Sequence, residues 1–595
     1  MDGGTSIAPS ADEADRCIAA GHTLEDRGDA GALAFYRKAV EAAPYYARAH
    51  MNVGNALAGL GLWDEAVAAQ AEAVRCAPEH APAHFNLGAF LFNRGRLADA
   101  EVELLEASRL EPDMTEAPIL LADVYELQDR LDDAEAQYHR ALVLAPEHAG
   151  AMLNLGWFCV RQGRMEEALY WLQRARTIDP TISGVDGQIL FATNFRADLS
   201  PEQIADEHVR TGERITSTAG LAFLSWPNTA EPARRIRLAY VSGDFGPHPV
   251  AYFLRPVLEH HDRSRFEVFC YSNLSQSHSV ETTLRERSDH WRAIANLDDA
   301  QVVDQIRHDR IDVMVDLSGH TARGRLAVFA RHPAPVQVTW LGYLNTTGIA
   351  AMDYRITDPH TDPVGLTEHL HTERLVRMPH SQWCYFAWQE IDLVATPHPD
   401  RPDTVVFGSF NQSAKITNSC LALWSRVLAR LPDSELIVFD VRRAGSANSL
   451  LARMKALGID PARVKLRGRE PLRDYFAAIG NVDIALDTYP YNGGTTSLDA
   501  LWMGVPVVGL KGDRGIARGT YSILQSLGAD ELIARSADEY VVVNERLARD
   551  LPWRRHLRES LRSRLRASPL MDARGFTAAL EDRYRAMWKA WCASQ

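Results

Sequence analysis

The sequence predicts an α-solenoid of paired helices followed by an α/β region of two doubly wound lobes, and three observations carry that prediction. Pro44, Pro78, Pro112, Pro146 and Pro180 stand 34 residues apart, as do Ala32, Ala66, Ala100, Ala134 and Ala168. The register stops before Arg235, and beyond that residue short apolar runs alternate with helix-like stretches, the pattern of a parallel sheet covered by helices on both faces. A second series of such runs follows the Pro/Asp-rich segment TPHPDRPD, 396–403.

At 595 residues the chain is too long for one hydrophobic core. Hydrophobic residues make up 46% and charged residues 24%, ordinary values for a folded protein. The 64 basic and 78 acidic residues leave a net charge of −14, which argues against broad nucleic-acid or anionic-membrane binding. The seven cysteines are scattered and form no CxxC pair, so a zinc site or disulfide framework is not expected and a reducing cytoplasm fits. The first residues, MDGGTSIAPSADEAD, lack the basic and apolar regions of a signal peptide. No uninterrupted apolar stretch reaches the roughly 18 residues of a membrane span.

Each proline of the repeat ends the second helix of a pair, while Gly54, Gly88 and Gly156, with Ala122 in the same frame, let paired helices approach closely. The register resembles the tetratricopeptide repeat and covers 14–185 in about five units. Individual apolar positions read as packing between helices, and the groove as a whole is the candidate surface for a protein or peptide partner. A helical bridge, 186–233, leads to a first lobe, 234–395. The linker 396–403 separates it from a second lobe with a closing helix, 404–595.

Strands are expected at RIRLAYVSGDF, RFEVFCYSN, IDVMVDLSG and PVQVTWLGY in the first lobe, and at TVVFGSFN, ELIVFD, VKLRGR, VDIALDTYP and VPVVGL in the second. The segment 485–510, ALDTYPYNGGTTSLDALWMGVPVVGL, places a strand ending at Asp487 before a glycine turn and a helix starting near Thr495. Such a turn directs backbone N–H groups and the positive end of a helix dipole at an anion, and a diphosphate suits it. Gly493 and Gly494 permit close approach, Thr495 and Thr496 offer hydroxyls, and Asp499, one turn on, is a candidate for a ribose hydroxyl; the plainer reading is a helix capped by Thr495 or Thr496. In VVFGSFNQSAKIT, 405–417, Gln412 and Lys415 follow a strand end, where Lys415 can supply point charge to a leaving diphosphate. In AYVSGDFGPHPVAYF, 239–253, His248 can accept a hydrogen bond, orient an acceptor or act as a base.

Together with the preceding repeats, these three segments resemble glycosyltransferase family 41, the protein O-GlcNAc transferases and SPINDLY-type enzymes. The stretch VDLSGHTARGRLAVFARHPAPVQVTWLGYLNTTGIAAMDYRITD, 315–358, and the terminal YRAMWKAWC extend the match. The resemblance implies a GT-B catalytic fold that inverts the anomeric centre without a metal, and 234–595 contains no DxD motif. It implies His248 at the acceptor, with Gln412 and Lys415 as nucleotide and diphosphate contacts. Thr495 and Thr496 would then lie at the phosphates and Asp499 at the ribose, with Arg518 near the same pocket; Arg325 is a further basic candidate in the first lobe. Where animal enzymes of the family carry two nucleotide-facing histidines, this chain has Gly494 and Tyr475.

The expected activity is transfer of GlcNAc from UDP-GlcNAc to Ser or Thr of protein acceptors, with no cofactor beyond the nucleotide sugar and with a homodimer among the expected assemblies. Alternatives are a SPINDLY-like fucosyltransferase using GDP-fucose, a transferase acting on a non-protein acceptor, and a non-enzymatic repeat scaffold. Retention of His248, Lys415, Thr495 and Thr496 in their expected contexts stands against the scaffold. A chain starting near Leu221 is expected to keep donor binding and slow donor hydrolysis and to lose most protein glycosylation, with its fold weakened if 181–232 packs against the first lobe.

Overall fold

The computed structural model describes residues 11–595 apart from 28, 30, 183, 276–277, 322, 387–403, 442–443 and 469, so the linker expected at 396–403 lies outside the described residues. Two compact units emerge. One comprises Met1–Phe158, Arg174–Ile182 and Ala444–Ser446, the other Cys159–Gln173, Ser183–Arg443 and Ala447–Gln595.

The repeats form helix pairs: α1 (Ala11–Glu25) with α2 (Ala32–Ala42), α3 (Ala47–Gly59) with α4 (Trp63–Cys76), and α5 (Ala81–Asn93) with α6 (Leu97–Leu110). They continue with α7 (Glu116–Leu127) and α8 (Leu131–Leu144), then α9 (Ala149–Arg161) and α10 (Met165–Ile178). Ala66, Ala100 and Ala134 have no exposed surface, which explains the alanine series: a larger side chain there would force the helices apart. A Cβ on Gly88 would lie 2.7 Å from Leu104. The turns inside the pairs repeat too, because Gly61, Gly95, Asp129 and Gly163, 34 residues apart, all adopt positive φ. Asp129 holds this position without being glycine, a substitution that aspartate tolerates better than most residues.

In the second unit, α11 (Val185–Asn194) and α12 (Pro201–Ala219) precede the first sheet. That sheet's elements are β1 (Ile236–Ser242), α13 (Pro249–His260), β2 (Phe266–Ser272), α14 (Ser279–Arg285), β3 (His290–Ala293), α15 (Asp299–His308), β4 (Val313–Asp316), α16 (Leu326–Ala330), β5 (Val336–Thr339), β6 (Tyr354–Thr357) and β7 (Arg374–Arg377). The second sheet is built from β8 (Val406–Ser409), α17 (Asn418–Arg430), β9 (Glu435–Val438), α18 (Ala444–Ala456), β10 (Val464–Leu466), α19 (Leu472–Gly480), β11 (Ile484–Leu486), α20 (Thr495–Trp502), β12 (Val507–Leu510), α21 (Gly519–Leu527) and β13 (Ile533–Ala534). Helices α22 (Ala537–Arg549), α23 (Leu551–Ala567) and α24 (Ala573–Ser594) close the chain.

The strand orders are β3-β2-β1-β4-β5-β6-β7 and β10-β9-β8-β11-β12-β13, and the pairings are parallel. Strands covered on both faces are rich in apolar residues, as in the fully buried β12 (VVGL), while the equally buried β4 and β5 also carry Asp316, Gln337 and Thr339, which are hydrogen-bonded. In each order the winding reverses once, between β1 and β4 in one sheet and between β8 and β11 in the other. Crevices at such reversal points, beyond the carboxyl ends of the strands, are where doubly wound folds bind ligands. Among the described residues no helix is long and apolar enough to cross a membrane.

The bridge packs on the lobe it precedes, and this bears on a chain starting near Leu221. Asn194 Nδ2 donates to the Tyr343 hydroxyl at 2.8 Å, and His208 Nε2 lies 2.7 Å from the same hydroxyl. A Cβ on Gly212 would stand 2.0 Å from the Gly348 carbonyl oxygen. Removing α11 and α12 would leave Tyr343 without these buried partners, a loss typically worth about 1–3 kcal/mol per stranded polar group before the lost packing is counted. A chain beginning at Leu221 is therefore expected to melt at least about 10 °C below one beginning at Ala149. Equal melting temperatures by circular dichroism would show that the bridge is dispensable.

Candidate functional site

The expected site residues gather at the two reversal points. In the second sheet, the loop after β8 carries Asn411, Gln412 and Lys415, and the turn after β11 runs from Asp487 to Gly494. Side chains cross-link the two: Lys415 Nζ donates to the Asn492 carbonyl at 2.8 Å, and Thr496 Oγ1 donates to Asn411 Oδ1 at 3.2 Å. The half-buried Lys415 also places its ammonium 4.3 Å from the centroid of the Tyr491 ring. Burial pushes the Lys415 ammonium down to about 8, with Asp487 opposing the shift.

Asp487 organises the turn, a role the sequence analysis did not assign. Its Oδ1 accepts from the Thr488 and Gly493 amides at 2.8 and 2.7 Å, and its Oδ2 from the Thr520 hydroxyl at 2.5 Å. Burial nevertheless raises its carboxyl to about 6, against the pull of Thr520, Gly493 and Lys415.

Helix α20 begins at Thr495 as expected, but its N-cap is Gly494, which provides no side-chain cap. The capping role considered for Thr495 or Thr496 is thus not realised. Among the described residues the backbone N–H groups of Thr495, Thr496 and Ser497 make no hydrogen bond, and the Thr495 hydroxyl makes none either. Such an uncapped helix start presents donors and a positive dipole end to an anion. The two glycines differ. A Cβ on Gly493 would collide with Thr496 Oγ1 at 2.5 Å and Ser497 Oγ at 2.6 Å, whereas one on Gly494 would meet nothing within 4 Å. Gln412 is exposed and its carbonyl accepts from the Lys415 amide at 3.0 Å, so its side chain is available to a ligand.

Three expected residues prove to be committed to protein. Asp499 is buried, accepting from the Tyr385 hydroxyl at 2.7 Å and the Tyr475 hydroxyl at 3.4 Å, so both oxygens already serve tyrosines rather than an open ribose subsite. Burial raises its carboxyl to about 7, against those two hydrogen bonds. Arg518 donates from Nε to the Gly512 carbonyl at 2.8 Å and from a terminal nitrogen to the Thr361 carbonyl at 3.3 Å, joining the two lobes. Arg325 binds Asp299 at 2.6 Å and reaches Asn273 and the carbonyls of Ile294 and Leu297. The charge of Arg325, the further basic candidate of the first lobe, is thus met by Asp299.

The neighbouring Arg323 is exposed. It donates to the Gly243 carbonyl at 3.2 Å, and its positive charge acts on His248. The loops after β1 and β4 are cross-linked here too, because the Gly243 amide donates to Ser318 Oγ at 3.2 Å. His248 is the N-cap of α13, with Pro249 at the first helical position. Its Nδ1 accepts from the Val250 amide at 3.4 Å and lies 4.0 Å from Asp244. Burial lowers its pKa, Asp244 opposing and Arg323 reinforcing. With Nδ1 accepting, the neutral ring carries its proton on Nε2, which makes that edge a donor.

Each reversal point thus gathers polar side chains, one around a histidine and one around a lysine beside an open helix start. Glycosyl transferase family 41 matches 202–394 and 392–580, more than half of the chain. The chain belongs to glycosyltransferase family 41. Tetratricopeptide repeats match 19–81, 54–115 and 119–181. A family 41 relative from Petunia hybrida, named "Probable UDP-N-acetylglucosamine--peptide N-acetylglucosaminyltransferase SPINDLY", is 38% identical over 426 residues, which is 70% of this chain and 45% of the relative. The Arabidopsis thaliana protein of the same name is 36% identical over 70% of this chain and 46% of its own length. The chain therefore spans about half the length of these relatives. A solved Thermobaculum terrenum O-GlcNAc transferase mutant superposes with a TM-score of 0.75 at 36% identity, covering 86% of this chain and 98% of that one. In the family 41 frame, the repeats, the two-sheet α/β unit and their order all agree with what the sequence predicts.

Proposed function

We propose that this family 41 chain is an inverting, metal-independent protein O-glycosyltransferase of the cytoplasm, moving GlcNAc from UDP-GlcNAc to Ser or Thr hydroxyls of proteins held by the repeats. The observation that carries the reading is the convergence of Lys415 and the uncapped start of α20 at the β8/β11 reversal point. The diphosphate lies across the Thr495, Thr496 and Ser497 amides with Lys415 beside it, and Gln412 contacts the nucleotide. The acceptor oxygen bonds to the anomeric carbon as the bond to the diphosphate breaks; the electron pair leaves with the diphosphate, and the hydroxyl proton passes to an oxygen of that leaving group. The helix start and Lys415 stabilise that charge without a divalent cation. His248 donates from Nε2 to the acceptor oxygen and orients it. The names of the relatives support UDP-GlcNAc as donor and a peptide as acceptor.

A donor screen tests this directly, following hydrolysis and transfer with UDP-GlcNAc, GDP-fucose and UDP-glucose, each with and without EDTA. UDP-GlcNAc should be turned over at a chelator-insensitive rate. Preferential use of GDP-fucose would replace the donor, and a rate abolished by EDTA and restored by Mn²⁺ would overturn the charge roles.

Nucleotide affinity should also depend on pH with a defined sign. Lys415 titrates near 8 in the free protein, and only its charged form attracts a diphosphate. Binding should therefore take up a proton above that value, and affinity should fall as pH rises through it, by up to about tenfold per unit. Calorimetry with UDP in buffers of different ionisation enthalpy measures both quantities. Affinity unchanged between pH 7 and pH 9.5 would show that Lys415 does not meet the diphosphate.

A further inference from the structure

We propose that Tyr491 is a positioning residue for Lys415, holding the ammonium at the diphosphate site through the face of its ring. The inference rests on the assignment of Lys415 to the diphosphate. Lys415 has two neighbours that fix its Nζ: the Asn492 carbonyl at 2.8 Å and the Tyr491 ring, whose centroid is 4.3 Å away. The carbonyl takes one ammonium hydrogen and the ring faces the cation, leaving the remaining ammonium hydrogens for a ligand. An aromatic face attracts a cation without neutralising it. That suits a lysine whose charge must be spent on a leaving group, since a carboxylate contact would compete for it.

The ring is itself anchored. Phe195, which follows α11 and is 1% exposed, packs on Tyr491 with centroids 5.1 Å apart. Thr488 Oγ1 donates to the Tyr491 carbonyl at 2.7 Å, fixing the backbone in the turn that Asp487 organises. The bridge thus reaches the donor site through two aromatic rings, a second reason why it belongs with the lobes. Charged groups facing this assembly are Asp487 on the Lys415 side and Arg355 on the Tyr491 side.

The test compares Tyr491→Phe and Tyr491→Leu in the full chain. The first keeps the ring face and the second keeps an apolar wall without it. UDP and GDP affinity by calorimetry at pH 7 should be unchanged in Tyr491→Phe and weakened about 5–30-fold in Tyr491→Leu. Competitive acetylation followed by mass spectrometry reads the Lys415 titration in the absence of nucleotide. Its midpoint should stay in place in Tyr491→Phe and move to lower pH in Tyr491→Leu, because desolvation persists while the cation loses the ring. A midpoint that does not move, or moves upward, in Tyr491→Leu would overturn the inference, as would equal effects of the two substitutions. Tyr491→Met serves in place of leucine if the latter lowers the melting temperature. Lys415→Met separates this inference from the reading beneath it. Unchanged nucleotide binding in Lys415→Met removes Lys415 from the diphosphate, whereas lost binding there with unchanged binding in Tyr491→Leu removes only Tyr491.

Discussion

Replacing Lys415 with alanine is expected to lower kcat for transfer and for donor hydrolysis by about 10²–10³-fold, with a much smaller change in donor affinity. The asymmetry follows from when the charge appears. In the bound donor the diphosphate shares its charge with an intact glycosidic bond, and the full additional charge develops only as that bond breaks. A lysine fixed by Asn492 and Tyr491 in a desolvated crevice needs no reorganisation to meet it. Lys415→Arg should not rescue activity, since a planar guanidinium cannot reproduce a point charge held between a carbonyl and a ring face. Steady-state kinetics across donor concentrations separate kcat from KM. A variant whose KM rises while kcat stays constant would place Lys415 in ground-state binding alone.

The double variant Thr495→Ala with Thr496→Ala is expected to lose most nucleoside-diphosphate affinity. Each hydroxyl bonded to a charged phosphate is worth about 1.5–3 kcal/mol, roughly 10–150-fold in affinity. The two single variants should differ. Thr495 is unpaired among the described residues, so its loss removes only the ligand contact. Thr496 also donates to Asn411, and its loss loosens the loop that carries Gln412 and Lys415. Thr496→Ala should therefore affect turnover as well as binding. Calorimetry with UDP and GDP reads the affinities, and unchanged binding in the double variant would move the nucleotide away from α20.

Much of this was legible in the sequence because it is written in local spacing. The 34-residue register located the helix pairs, and apolar runs bounded by turn residues located β1, β2, β4, β5 and β8 to β12. The strands β3 (HWRA), β6 (YRIT) and β7 (RLVR) escaped because polar side chains interrupt their apolar pattern, and β13 (IA) because it is two residues long. At the site, Lys415, His248 and the helix start could be found from their position after strand ends. Asp499 could not be judged that way. Spacing puts it one turn beyond Thr495, but its tyrosine partner at 385 is 114 residues away, and only the tertiary fold reveals it. Arg323 and Arg325 share one short loop, and no local pattern distinguishes the arginine that faces His248 from the one that pairs with Asp299. Asp487 and Tyr491 were missed for a related reason: their importance lies in what they hold, not in a recognisable motif.

The two adjacent glycines of the turn are open to evolutionary change in opposite degrees. Gly493 is locked, because any side chain there would strike Thr496 and Ser497. Gly494 has a negative φ and no atom within 4 Å of where a Cβ would stand. Mutational drift at 494 therefore costs the fold little, yet whatever residue arrives there enters the space beside the helix start. With the nucleotide sugar placed as proposed, a lineage can sample new donor preferences at one position while the turn stays unchanged next to it.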